Sequence, residues 1–335
     1  MLLARLSEAA GVSGQEDEVR NLIKAELDKL GVTYKTDALG SLLAYKPGRQ
    51  GRTTVMAAAH MDEVGLMVVG IEDSGLLRFK PVGGIDRRVL VAKEVLVGQD
   101  KIPGVIGSKP IHLQKRNERN TPLQWQELYI DIGAKDKAEA EKLVPLGTAA
   151  VFATSFRQLS DDIVMGKAFD DRVGCYVLLE LLKDEYDCNL VCAFTVQEEV
   201  GLRGAGPAAY STDPDLALVI EGTTASDVPG VPEHGHSTSV GKGPALTIMD
   251  RTSIPARPLV EKLRQVAHDE NIPIQSRRAT TGGTDAGKIQ LTKGGIPVAG
   301  ISIPCRYIHS PASVASLGDI EKTVRLVKGF LRREC

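Results

Sequence analysis

The sequence lacks the long apolar runs and the blocks of like charge that mark membrane proteins and nucleic-acid-binding proteins. No stretch of 18 apolar residues occurs, and the opening MLLARLSEAAGVSGQEDEVR becomes charged before a secretory apolar core could form. The 335 residues hold 41 Lys plus Arg against 43 Asp plus Glu, a formal net charge of −2, and no basic tract could follow a phosphate backbone. We therefore expect a cytoplasmic protein that binds neither membranes nor nucleic acid.

Cysteine is also scarce, and its pattern argues against a thiolate metal site. The five cysteines include no C-x-x-C pair and lie mostly inside apolar runs. An odd number without such spacing does not fit a disulfide framework or a Cys-ligated zinc. We predict buried free thiols at these positions, which are Cys175, Cys188, Cys192, Cys305 and Cys335.

The sequence does have an α/β pattern, which a segment of different texture interrupts. Helical periodicity predicts a first helix over Glu16–Leu30, followed by two short strands, the second nearly all apolar as a central strand would be. From about residue 65 to about residue 163, short alternating runs broken by Gly and Pro are typical of a β-barrel or sandwich. Strands then alternate with helices, which indicates a mostly parallel sheet covered on both faces. We predict an α/β catalytic domain in two parts, 1–64 and 164–335, with an inserted barrel domain at 65–163.

Residues that can bind metal ions follow the predicted strands at their carboxyl ends, where open α/β sheets bind ligands. One pair of acids stands instead before a predicted helix. The candidate metal-binding residues are His60, Asp62, Asp170, Asp171, Glu198, Glu199, Glu221 and His309, and Arg306 also follows the last of these strands. Two imidazoles among carboxylates suit a hard or borderline divalent ion and not a soft thiolate site.

Each of these local patterns also has a structural interpretation. His60 could be a hydrogen-bonded histidine at a strand end. If it binds a metal ion instead, Asp62 on the same side of the chain would accept the N–H of its other ring nitrogen. Glu198 and Glu199 could be two solvated loop acids. A bound cation would instead offset their mutual repulsion and leave one of them as a general base.

The remaining candidates also have structural alternatives to metal binding. Asp170 and Asp171 could cap the helix that follows them, and Glu221 could be a loop acid. His234 and His236 form an H-x-H pair in a loop rich in Gly and Pro. They are the rivals, as metal ligands, of the two histidines that follow strands.

Taken in order along the chain, these stretches resemble the co-catalytic metallo-aminopeptidases, the family that includes glutamyl aminopeptidases and the tetrahedral, self-compartmentalising aminopeptidases. The stretches are GVSGQEDEVR, AAHMDEVG, GKAFDDRVG, TVQEEVGLRGA, GGTDAG and RYIHSP. Several motifs in the right order over almost the whole chain form a specific signal, whereas one alone is weak.

The resemblance implies a fold, a site and an assembly. The fold is α/β and zinc-exopeptidase-like, with a mixed sheet sandwiched by helices and an inserted PDZ-like β-barrel. Asp170 would bridge two divalent metal ions, and Asp62 and Glu198 would be the catalytic pair. The implied metal ligands are His60, Asp170, Glu199, Glu221 and His309. The barrel would join subunits into dimers and then into a hollow tetrahedral dodecamer.

We therefore expect an aminopeptidase that depends on two divalent metal ions and removes N-terminal residues from peptides. Zinc is the expected ion, and cobalt or manganese would substitute for it. The alternative is another metal-dependent amidohydrolase, such as a deacylase or a dipeptidase. An endoglucanase is not expected, because glycoside hydrolysis usually needs two carboxylates and no metal pair. For an acidic first residue, Arg251 and Arg306 are the candidate substrate-binding residues, and structural salt bridges are the alternative role for both.

Overall fold

A large mixed β-sheet with helices on both faces, and a separate closed β-barrel, make up the fold. The computed structural model describes residues 1–51, 53–116, 118–278 and 280–333. Both parts of the architecture agree with the prediction, an α/β fold interrupted by an all-β segment.

The helices of the described residues include both long amphipathic segments and single turns. The α-helices are α1 (Leu2–Glu8), α2 (Asp17–Leu30), α3 (Lys137–Leu143), α4 (Phe169–Leu181), α5 (Ala205–Thr212), α6 (Arg257–Asp269), α7 (Ala286–Ile289) and α8 (Leu317–Leu331). Short 3₁₀ helices lie at Arg87–Val89, Ile111–Leu113, Glu118–Asn120, Trp125–Glu127 and Glu233–Gly235. Among the described residues, no helix combines the length and the apolar character that crossing a membrane requires.

The strands fall into two sets, one for each sheet. The large sheet contains β1 (Thr33–Thr36), β2 (Leu42–Lys46), β3 (Thr54–His60), β10 (Arg157–Gln158), β11 (Ile163–Gly166), β12 (Asn189–Thr195), β13 (Leu216–Thr224), β14 (Ala245–Thr247), β15 (Gln275–Arg277), β16 (Val298–Arg306) and β17 (Ser313–Ser316). The barrel contains β4 (Gly65–Ile71), β5 (Leu77–Val82), β6 (Glu94–Val97), β7 (Ile102–Ser108), β8 (Leu128–Asp131) and β9 (Ala149–Phe152).

The centre of the large sheet is parallel. Its strands run in the order β1-β2-β12-β3-β13-β16-β17-β11-β10, and β14 pairs with β16 and β15. The pairs β12/β3, β3/β13 and β13/β16 are parallel, whereas the strands outside them on this path pair antiparallel. The carboxyl ends of four neighbouring strands therefore meet at one edge, where a ligand site is expected.

The central strand β3 is buried on both faces, as its apolar sequence predicts. Val55, Ala57 and Ala59 belong to the core beneath α1, α2, α4, α6 and α8. Met56 and Ala58 belong to a second core with α5 and α7. Helices on both faces thus shield the sheet from water and hold its strand ends in fixed positions.

The inserted segment forms a closed barrel in the order β4-β5-β8-β7-β6-β9. It has its own apolar core, which includes Leu66, Phe79 and Ile130. The last barrel strand ends at Phe152, and the next two strands already pair in the large sheet. The chain thus re-enters the large sheet before the predicted boundary at residue 163, while the division into domains stays a prediction.

The cysteines differ from expectation at one position. Cys175, Cys192 and Cys305 are buried free thiols, as predicted. Cys188 is disulfide-bonded, so the prediction of a free thiol there is wrong. Its Sγ lies 3.8 Å from the carbonyl oxygen of Leu331, because the last helix packs back against the start of β12, a contact that sequence spacing does not reveal. Cys335 lies outside the described residues.

Candidate metal centre

Side chains from the carboxyl ends of β3, β12, β13 and β16, and from the first turn of α4, converge at one edge of the sheet. They are the predicted residues His60, Asp62, Asp170, Glu198, Glu199, Glu221 and His309. Parallel pairing explains the convergence, since it brings successive strand ends to the same edge.

Asp170 lies between the two imidazoles. Its Oδ1 is 3.3 Å from Nε2 of His60, and its Oδ2 is 3.3 Å from Nε2 of His309. Glu199 Oε2 is 3.5 Å from the same His309 nitrogen, and ligand atoms of Asp170, Glu199 and His309 lie within 4.8 Å of one another. A carboxylate that presents one oxygen to each of two imidazoles has the form of a bridging ligand between two cations.

Asp62 acts through its backbone as well as its carboxylate, which differs from the expectation. Nδ1 of His60 lies 3.0 Å from the Asp62 carbonyl oxygen and 3.5 Å from its carboxylate. The carboxylate accepts hydrogen bonds from Ser13 Oγ at 2.6 Å and from the N–H groups of Glu198 and Glu199 at 3.0 and 3.1 Å. The carbonyl thus orients the imidazole, and the side chain holds the turn that carries both acids.

Asp171 takes the capping role that was considered for the pair Asp170 and Asp171. Its carboxylate accepts the N–H groups of Gly174 and Gly222 at 3.0 Å and that of His60 at 3.2 Å. These bonds join the start of α4 to β3 and β13. The carboxylate of Asp170 instead faces the two histidines.

Burial makes the acids of this edge hard to ionise together. Desolvation raises the pKa of Glu198 and Glu221 well above the usual range and raises the pKa of Glu199 to about 7. Burial opposes the ionisation of Asp170 as well, but hydrogen bonds with the two histidines hold its pKa below the usual range. Oε1 of Glu199 is buried and finds no hydrogen-bond partner in the part of the chain that the structure describes.

The pKa values of the two histidines also reflect the excess of carboxylates around them. Burial lowers the pKa of His60, but the neighbouring Asp170 and Asp62 overcome this effect and place the pKa well above the usual range. Burial likewise opposes protonation of His309, yet Asp170 and Glu199 raise its pKa to about 9. A divalent cation would supply the positive charge that these protons otherwise provide. The residues present therefore fit a metal site.

A cavity of about 560 Å³ opens beside these residues. The acids at its wall are Asp170, Glu198, Glu199 and Glu221, and the cations are Arg251 and Arg277. Arg251 thus lines the cavity beside the candidate ligands, and its role in substrate binding stays a prediction. Arg306 is not among the described residues that line this cavity, because its Nε and Nη2 donate to Asp227 at 2.9 and 2.5 Å.

The rival histidines lie elsewhere. His234 and His236 line a separate surface pocket with Glu233. Nε2 of His236 is 3.1 Å from the carbonyl oxygen of Val231. The H-x-H pair therefore does not join the other candidate ligands.

Sequence reasoning assigned no role to Asp285 or Arg277. Oδ2 of Asp285 accepts from Thr195 Oγ1 at 2.5 Å, and its N–H donates to Glu221 Oε1 at 3.3 Å. Burial raises the pKa of Asp285 to about 6. Asp285 lies in GGTDAG, which supported the resemblance and could have pointed to it, whereas the short strand β15 that carries Arg277 has no motif.

Comparisons with known proteins agree with this geometry. A protein of Acetivibrio thermocellus is 41% identical over 329 residues, which are 97% of this chain and 96% of the relative. The crystal structure of a TET aminopeptidase from a marine-sediment Thaumarchaeota archaeon is 39% identical, with a TM-score of 0.96 over 99% of this chain and 95% of the other. The TET1 peptidase of Pyrococcus horikoshii, which can assemble into a tetrahedron or a large octahedral shell, is 36% identical, with a TM-score of 0.88 over 99% and 98%.

The family comparison covers most of the chain. Residues 40–326 match the family described as M42 glutamyl aminopeptidase, and this range includes every candidate metal ligand. The chain belongs to the M42 glutamyl aminopeptidase family.

Proposed function

We propose that the protein is an aminopeptidase that uses two divalent metal ions to remove residues from the N-terminus of peptides. The observation that carries the proposal is the position of Asp170 between two imidazoles. His60, Asp170 and Glu221 would hold one ion, and Asp170, Glu199 and His309 would hold the other. Imidazole and carboxylate ligands suit zinc, and cobalt or manganese would substitute for it.

Glu198 is the residue that we assign as general base. When bound, the two ions polarise the scissile carbonyl and lower the pKa of water. The Glu198 carboxylate lies 4.0 Å from His60 Nε2, and burial raises its pKa, which suits a group that accepts a proton from water and passes it to the departing amine. Asp62 fixes the Glu198 backbone and thereby the direction of this side chain.

The acidic wall of the cavity favours exopeptidase over endopeptidase activity. A free α-ammonium group is attracted to the wall that Asp170, Glu198, Glu199 and Glu221 form, whereas an internal peptide bond offers no such charge. Arg251 on the same cavity would favour an acidic first side chain.

We further propose that the barrel mediates assembly of the protein into oligomers. We assign it the task of joining subunits into dimers and these into a dodecamer, because it carries none of the proposed ligands and a structural relative forms a tetrahedron. In a closed shell, short peptides reach the sites while folded proteins stay outside. We place the working enzyme in the cytoplasm.

The test is hydrolysis by protein that has been stripped of metal and then reloaded. Chelated protein should be inactive on aminoacyl p-nitroanilides, and zinc, cobalt or manganese should restore activity. A free tripeptide should lose its first residue, whereas the N-acetylated tripeptide should be left intact. Cleavage of the acetylated peptide alone would favour the deacylase, and activity that survives prolonged chelation would refute the two-metal enzyme.

A further inference from the structure

We propose that Arg277 binds a carboxylate of the substrate in the cavity beside the metal centre. The inference rests on the function proposed above and adds a specificity-determining residue to it. The Arg277 side chain is 8% exposed and lines the cavity. Its Nη1 is buried and has no hydrogen-bond partner among the described residues. A buried guanidinium N–H without an acceptor is costly, and an anionic ligand would supply the acceptor.

The neighbours of Arg277 hold the guanidinium in place but do not provide an acceptor for every one of its N–H groups. Its Nε donates to Thr223 Oγ1 at 2.9 Å, and its Nη2 lies 3.5 Å from the Thr281 carbonyl oxygen. The nearest carboxylate is that of Asp250, whose Oδ2 is 3.9 Å from Nη1, beyond hydrogen-bond reach.

Asp250 is already occupied by other donors. Its Oδ1 accepts the N–H groups of Thr252 and Ser253, each at 2.7 Å. Its Oδ2 accepts the hydroxyl groups of Ser253 and Thr284 at 2.8 and 3.1 Å. Asp250 thus organises its own turn, and the remaining hydrogen-bonding capacity of Arg277 is left for a ligand.

Arg277 is tied to the strand that carries one of the proposed metal ligands, through its hydrogen bond to Thr223. Thr223 lies two residues beyond Glu221 on β13, so both side chains point to the same side of the strand and their Cα atoms are about 6.6 Å apart. Glu221, Thr223 and Arg277 line the same cavity, so a substrate whose amine lies near Glu221 would bring a nearby carboxylate toward Arg277. Arg251 adds a second positive charge to the same cavity.

Two parts of a substrate offer this carboxylate. One is the side chain of an acidic first residue, and the other is the C-terminal carboxylate of a dipeptide. Both are recognised by the same charge-assisted hydrogen bonds from a guanidinium N–H group, so paired substrates must separate them. Glu and Gln p-nitroanilides differ in the side-chain carboxylate, and Leu-Gly and Leu-Gly-amide differ in the C-terminal one.

The experiment compares kcat/KM for both pairs in wild type, Arg277→Gln, Arg277→Lys and Arg278→Gln, all metal-loaded. Arg278 is the matched control, since it is the next residue, is exposed and lines a different pocket. In wild type the carboxylate member of one pair should be preferred by roughly 10- to 100-fold, and Arg277→Gln should abolish that preference through KM. Arg277→Lys should restore part of it, and Arg278→Gln should leave it unchanged.

Three results would overturn the inference. The first is a wild type that prefers the carboxylate member of neither pair. The second is an Arg277→Gln variant whose kcat/KM falls equally on charged and uncharged substrates, and the third is an Arg278→Gln variant that loses the preference as fully as Arg277→Gln does. A wild type that hydrolyses none of the substrates would refute the proposed function instead. Calorimetry would then test the carboxylate site with two pairs of ligands, L-glutamate against L-glutamine and Leu-Gly against Leu-Gly-amide. Tighter binding of the carboxylate member of either pair, lost in Arg277→Gln, would support the site. Equal binding within both pairs would refute it.

Discussion

The carboxylate of Asp62 accepts the backbone N–H of Glu198 at 3.0 Å, although the two residues are 136 positions apart in the chain. The neighbouring N–H of Glu199 donates to the other carboxylate oxygen at 3.1 Å. One fully buried side chain at the end of β3 therefore positions both the proposed base and a proposed metal ligand after β12.

Asp62→Asn should lower kcat while the protein still folds. The amide keeps the shape, but its NH₂ group would face a backbone N–H in place of an acceptor, so one hydrogen bond to the turn becomes a repulsive contact. We expect kcat to fall by roughly 10- to 100-fold, measured on an aminoacyl p-nitroanilide with metal content determined in parallel.

Ser13→Ala is the matched control for Asp62→Asn. It removes the hydroxyl that donates to Asp62 Oδ2 at 2.6 Å but leaves both backbone hydrogen bonds in place. Its effect on kcat should be clearly smaller. An equal fall in kcat in the two variants would show that the hydrogen bonds from Asp62 to the backbone of Glu198 and Glu199 are not the cause of the loss of activity.

Glu198→Gln and Glu199→Gln should fail in different ways. Gln at position 198 cannot accept the proton, so kcat should fall by roughly 10²- to 10⁴-fold while two metal ions per subunit remain bound. Gln at position 199 removes a charged ligand, so metal content should fall and activity should recover in part at high metal concentration. The opposite pattern would exchange the two roles.

The residues that follow the parallel strands could be predicted from the sequence to lie together, because parallel pairing brings their strand ends to one edge of the sheet. Once β3, β12, β13 and β16 are recognised as neighbouring parallel strands, His60, Glu199 and His309 must approach one another. Asp170 precedes a helix instead of following a strand, and the resemblance was needed to prefer a bridging role for it over that of a helix cap.

Contacts across distant loops were beyond the reach of sequence patterns. The position of Arg277 depends on Thr223 and on the loop at Thr281, and neither has a periodicity or spacing that places them together. The same holds for Cys188, whose neighbour is the far end of the chain. The Asp62 carbonyl replaces its carboxylate as the nearer acceptor for His60, since alternation of side chains says nothing about backbone groups.

Metal-free protein should lose stability as the pH rises from 6 to 8. The folded-state pKa values of Glu199, about 7, and of His309, about 9, both exceed those of the unfolded chain. The folded state therefore binds more protons in this range, and the stability that this provides is lost as the pH rises toward these values. Bound metal displaces the protons and should remove this trend.

Thermal unfolding of chelated and metal-loaded protein at pH 6, 7 and 8 checks this dependence. The difference in Tm between the two forms should widen with pH. Glu199→Gln is the control, because it deletes one of the groups that titrate in this range, and its chelated form should show a shallower decline. A chelated wild type whose Tm rises with pH would contradict the electrostatic account of the site.

The barrel should carry the contacts of an assembly. Val91, Val105 and Ile111 are 40%, 45% and 67% exposed and line one surface groove of the barrel, a grouping of apolar side chains that is costly in water. Light scattering of metal-loaded protein at micromolar concentration should therefore give a mass many times 35.9 kDa. Ile111→Glu places a charge in the groove and should reduce that mass, while kcat on a small p-nitroanilide stays within about twofold because the catalytic edge lies in the other sheet. A monomeric wild type would refute the assembly, whereas a dimer would keep the role of the barrel and reject the dodecamer.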